Sequence, residues 1–74
     1  MIRYGIYGNV EKAEITPVIE GILSRFLSEG TPFCVHEALS PLLRKSLSKN
    51  LLKSIRMVSE KKLTSVCDIV ISVG

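Results

Sequence analysis

The chain predicts an α/β fold: a three-layer, Rossmann-like parallel sheet in the order β-α-β-α-β, incomplete at its C-terminus. Three observations carry this. Short β-branched or aromatic runs alternate with longer segments of helical periodicity, which is the signature of parallel crossovers. The closing run Cys67-Asp68-Ile69-Val70-Ile71-Ser72-Val73 is almost continuously apolar before Gly74, as an inner strand of a parallel sheet would be. Three strands and two main helices are too few to cover both faces of a sheet, so residues 1–74 read as the N-terminal α/β domain of a larger protein.

Ile2–Tyr7 is expected to be the first strand, closing at the turn pair Gly8-Asn9. Gly5 inside it signals close packing against the backbone. Val10–Ile15, with Glu11, Lys12 and Glu14, reads as a polar loop. Thr16 and Pro17 form a cap-then-proline start for the first helix. Ile19, Ile22, Leu23, Phe26 and Leu27 make its apolar face, Glu20, Ser24, Ser28 and Glu29 its wet one, and Gly30 its stop. Phe33–His36 is the second strand, reached by a right-handed crossover. Ser40-Pro41 repeats the helix-start signature, and one helix is expected from Pro41 to about Ile55, with Leu43, Leu47, Leu51 and Ile55 as its buried stripe. Met57-Val58 is a short extended piece, Glu60–Val66 a helical turn or loop, and Cys67–Val73 the final strand.

The totals exclude several classes. Seventy-four residues make one small domain, which buries only about 60% of the surface its unfolded chain exposes. Apolar residues are 46% of the chain, with two Phe, two Tyr and no Trp, so packing is aliphatic. A net charge of +3 permits phosphate-bearing ligands without requiring them. No apolar run approaches the roughly 20 residues of a membrane span, and no charged leader precedes an apolar core. Cys34 and Cys67 fall in expected strands and read as buried free thiols of a reduced cytoplasm. A disulfide between them has no sequence support, and without a CxxC pair there is none for zinc.

The candidate chemistry is sparse. Gly8-Asn9 stands at the carboxyl end of the first strand, where open α/β sheets hold phosphates and riboses. The GxGxxG fingerprint is absent, and from spacing alone a structural turn is the favoured explanation of the pair, because Asn and Gly tolerate left-handed geometry. Lys45, Lys49, Lys53 and Arg56, with Arg44, Lys61 and Lys62 nearby, read as the wet face of a helix. No aromatic residue is interleaved with them for base stacking. His36, Ser40 and Asp68 contain triad residue types, but each has an ordinary structural role. Glu11, Glu14, Glu20 and Glu29 show no pairing for acid-base work.

The two ends together are more specific. Gly5-Ile6-Tyr7-Gly8-Asn9 with Glu11-Lys12 resembles the opening of bacterial NAD kinases, and Asp68-Ile69-Val70-Ile71-Ser72-Val73-Gly74 resembles the strand entering that family's GGDGT motif, Gly74 matching its first glycine. The middle, Phe33–Val66, matches in pattern only. The resemblance implies phosphoryl transfer from ATP or inorganic polyphosphate to the 2′-hydroxyl of the NAD adenosine ribose, with magnesium, in a cytoplasmic homo-oligomer that uses neither nucleic acid nor membrane. It implies an active site between this domain and a β-rich C-terminal one. The motif's aspartate, which activates the hydroxyl in the family, is not in the chain, so no catalytic residue carries over and residues 1–74 alone are expected to be inactive. Gly8, Asn9 and Gly74 are the expected nucleotide-binding positions. The competing reading is a stand-alone α/β module that binds a nucleotide or a protein without catalysis.

Overall fold

A computed structural model describes residues 2–74. Four strands, β1 (Tyr4–Gly8), β2 (Phe33–His36), β3 (Met57–Val58) and β4 (Ile69–Val73), form one sheet in the order β3-β2-β1-β4. Every pairing is parallel: Tyr4 lies beside Phe33 and Ile69, Gly5 beside Cys34 and Val70, and Val35 beside Met57. The fold is α/β and Rossmann-like, as the alternation of patterns predicts.

The helices are α1 (Thr16–Glu29), α2 (Ser40–Ser46), α3 (Lys49–Lys53) and α4 (Glu60–Val66). Alternation along β1 and β2 separates two cores. On one face, Ile6 and Val35 pack with Ile15, Ile19 and Leu23, and with Leu39, Leu43 and Ile55 from the second crossover. On the other, Cys34, Val58 and Leu63 pack with Tyr7, Val66 and Cys67. The chain steps twice in one direction across the sheet and then returns from β3 to β4. With crossovers of one hand, that reversal sends α4 to the opposite face.

Helix α1 follows its sequence closely. Ile19 and Leu23 are buried, and Ile22, Phe26 and Leu27 are partly buried. Gly30 adopts φ 69°, the left-handed cap expected of it. The Gly30 amide donates to Leu27 O at 3.4 Å and the Thr31 amide to Phe26 O at 2.9 Å, a Schellman closure. Tyr4 stacks on Phe26 at 5.1 Å between centroids, and Phe26 meets Phe33 at 5.6 Å, which pins the helix end over β1 and β2.

Several expectations fail for identifiable reasons. The final strand is not interior: β4 is an edge with β1 as its only partner, and Ile69 and Val70 are 44% and 41% exposed. An apolar run records that a strand avoids water in the assembled protein; it does not supply the neighbour. The helix expected from Pro41 to Ile55 is two helices. Leu47 is extended at ψ 150°, and Ser48 starts α3 by accepting a hydrogen bond from the Leu51 amide at 3.3 Å. The cap competes with helix continuation, and Leu51, counted in the buried stripe, turns outward to 39% exposure.

Thr16 and Ser40 are not caps, since each helix is entered from a 3₁₀ turn, Ala13–Ile15 and Glu37–Leu39, whose last residue is already helical. The loop expected over Val10–Ile15 contains the first of these turns. Met57-Val58 is a true strand, and Glu60–Val66 is helical, capped by Ser59, which accepts from the Lys62 amide at 3.3 Å. Cys67 lies outside β4, as the extended residue that ends α4. Asp68 fastens β4 to β1 through its own amide to Arg3 O at 2.8 Å and its carboxylate from the Arg3 amide at 2.9 Å.

Gly5 explains how α4 sits. A Cβ there would lie 3.0 Å from Leu63 Cδ1 and 3.1 Å from Cys67 Sγ. Gly5→Ala is therefore expected to cost about 1–3 kcal/mol through overpacking, read as a lower urea midpoint at unchanged slope. Leu63→Ala alone costs about 2–5 kcal/mol. Combined with Gly5→Ala it should cost less than the sum, and strict additivity would show that the contact does not exist. Ser48→Ala should cost about 0.5–2 kcal/mol for the lost cap, and an unchanged midpoint would count against its role in dividing α2 from α3.

Candidate functional site

The direction of the crossovers reverses between β1 and β4. In open parallel sheets the crevice beyond the carboxyl ends of two such strands receives the ligand, because the loops leaving them turn to opposite sides. The cleft of this chain lies there. Its volume is about 280 Å³, and its walls come from the ends of β1 and β4, with His36 at the end of β2 and Ala38 just after it.

All three residues singled out from the sequence converge on it. Gly8 and Asn9 form one wall and Gly74 the other. The Asn9 amide donates to Val73 O at 3.2 Å, extending the ladder one residue past β1. The Asn9 side chain accepts from the Glu11 amide at 3.0 Å, so it folds the loop back instead of reaching into the cleft. Gly74 has φ 140°, and a Cβ on it would come 3.2 Å from Asn9 Cβ.

Gly8 has a packing reason to be glycine. A Cβ there would stand 2.9 Å from Ile15 Cδ1, 3.1 Å from Val73 O and 3.4 Å from Leu39 Cδ2. Neither Gly8 nor Asn9 has positive φ. The left-handed turn expected of the pair is therefore replaced by an extended strand end whose missing side chain admits the 3₁₀ turn before α1.

Six further wall residues were not assigned to this site from the sequence: Tyr7, Val10, His36, Ala38, Ser72 and Val73. The same strand-end logic that flags Gly8 applies to His36 and Ser72 once strand limits are known. Tyr7 and His36 point to the face of α4 and stack at 4.8 Å between centroids, 20° from parallel. His36 Nδ1 is buried without a hydrogen-bond partner. The stack gives the cleft an aromatic wall and His36 a polar atom with an unmet demand.

The other candidates do not assemble. Asp68 is at the start of β4, bonded to Arg3, and His36 is at the far end of the sheet, so no triad forms with Ser40. Lys45, Lys49, Lys53 and Arg56 are exposed, as a wet face requires, but the break at Leu47-Ser48 divides their stripe. Lys61 and Lys62 belong to α4 on the opposite side of the sheet.

No helix among the described residues is long and apolar enough to cross a membrane. No protein-family model, curated protein or solved structure matches the chain.

The cleft geometry makes one substitution informative. Gly8→Val should distort the β1–β4 ends, because its nearest obstacles include the backbone oxygen of Val73. The expected loss is about 1–3 kcal/mol, with shifts of the Asn9 and Gly74 amide resonances. A variant with unchanged stability and resonances would remove Gly8 as the residue that sets this wall.

Proposed function

We propose that the chain is the N-terminal part of an NAD kinase, a cytoplasmic phosphotransferase that converts NAD to NADP with ATP or inorganic polyphosphate. The observation that supports it best is the meeting of Gly8, Asn9 and Gly74 in one cleft at the point where strand order reverses. These are the residues that carry the resemblance, and they come from opposite ends of the chain. The edge position of β4 withdraws the interior strand as support, so the reading rests on this convergence.

The residues present suit a nucleotide in part. Glycine at the Gly74 wall leaves backbone accessible, and the Tyr7–His36 stack offers a flat surface for a base or ribose. The walls contain no side-chain carboxylate. Magnesium would therefore be held by the phosphates of its donor and by residues outside this chain. Phosphoryl transfer needs positioned phosphates, a cation and a group that activates the attacking hydroxyl. These residues contribute to the first requirement only, so residues 1–74 alone should bind without turnover.

Two measurements test this. The reading frame after the Gly74 codon should continue Gly-Asp-Gly-Thr, and any other continuation overturns the assignment. The longer product should form NADP from NAD with ATP and magnesium, and replacing the aspartate of that motif should abolish it.

A second reading is a nucleotide- or protein-binding α/β module without catalysis. It is favoured by walls that contain no side-chain carboxylate for acid-base or metal chemistry. Ligand-induced shifts at Gly8, Asn9 and Gly74, in a protein whose natural frame lacks the motif, would select it.

A further inference from the structure

Two cysteines separated in sequence by α2, α3, β3 and α4 meet over one glycine. Cys34 lies beside Gly5 in the sheet, and its side chain is buried on the α4 face. Cys67, at the end of α4, places its Sγ 3.1 Å from where a Gly5 Cβ would be. Both thiols belong to the same small core, and the absence of a side chain at Gly5 leaves nothing of β1 between them. They are free thiols. Cys67 is the extended residue that follows α4, two residues before β4 begins, and it brings its thiol to the core that holds Cys34; a disulfide there requires the specific Cα and Cβ spacing of such bonds.

We propose that Cys34 and Cys67 form a reversible disulfide that latches the α4–β4 joint to β2 across Gly5, making the position of β4 sensitive to the thiol-disulfide balance of the surroundings. The oxidant is a small disulfide such as oxidised glutathione. Cys67, the more accessible of the two, loses its proton to solvent and attacks one sulfur of that disulfide. A mixed disulfide forms and one glutathione thiolate leaves. Cys34 then loses its proton and attacks Cys67 Sγ, releasing the second glutathione. Two protein thiols are oxidised by two electrons, and one small disulfide is reduced to two thiols.

The Cys67 thiol is pushed above its ordinary value by burial first, then by the neighbouring Cys34 thiol, with Asp68 adding to the rise and Arg3 opposing it. The first step is therefore slow at neutral pH and accelerates as pH rises, since the thiolate is the attacking species. The pair responds to a sustained change in redox balance more than to a brief one.

The test uses the purified 74-residue chain incubated with oxidised glutathione, with circular dichroism confirming that it stays folded. The expected product is a monomer lighter by two hydrogens, with peptides containing Cys34 and Cys67 linked, reversible by dithiothreitol. Amide exchange at Ile71 and Val73 should slow in the oxidised form. In Cys34→Ser, a glutathione adduct should persist on Cys67. In Cys67→Ser, Cys34 should stay unmodified while folded. A persistent mixed disulfide in the unsubstituted chain, a disulfide-linked dimer, or two unreacted thiols would overturn the pairing. Unchanged exchange in β4 on oxidation would overturn the latch.

Discussion

The close approach to β1 is the constraint on which the rest of this structure depends. β1 pairs with β4 over Tyr4–Gly8 and with β2 over Tyr4–Ile6, and its two glycines face opposite sides of the sheet. Gly5 admits Leu63 and Cys67 of the α4 crossover, and Gly8 admits Ile15 and Leu39 from the turns that lead into α1 and α2. With side chains at those positions, the layers would be pushed outward, and a domain this small has little buried area to compensate. Two missing Cβ atoms thus set the spacing of three layers and, with it, the width of the cleft beyond β1.

The cleft follows from topology more than from any motif. Because the chain steps from β1 to β2 to β3 and then returns to the far side of β1, the ends of β1 and β4 lie side by side where the strand order reverses. The Asn9 amide bond to Val73 closes the bottom of the gap, and the stacked Tyr7 and His36 wall one side. The glycines here are shaped first by packing. Gly8 makes room for a turn, and its role toward a ligand is to leave a strand end bare.

β4 is an edge strand none of whose residues is fully buried. It is held by its ladder to β1 and by the paired bonds between Asp68 and Arg3, and its Ile69 and Val70 remain in contact with water. An apolar parallel strand with an open edge is a strong attractor for another strand or a covering helix. Cys67 is partly exposed while Cys34 is buried in the core, an asymmetry that gives the two thiols different parts in any exchange.

The sequence by itself determined the elements whose signals are local. Alternating apolar patterns announced α/β, the stripe from Ile19 to Leu27 announced α1, and Gly30 announced its end, because side-chain periodicity and backbone strain act within a few residues. It also marked Gly8, Asn9 and Gly74, since strand ends followed by glycine can be read along the chain. Only the tertiary structure decided that β4 lies at an edge, that Ser48 divides the second helix, and that Tyr7, His36 and Ser72 complete the cleft walls. It alone brought Cys34 and Cys67 over Gly5. Strand order, a cap's victory over helix continuation and contacts between distant residues are set by the energy of the whole packed arrangement, and no short window of residues contains that sum.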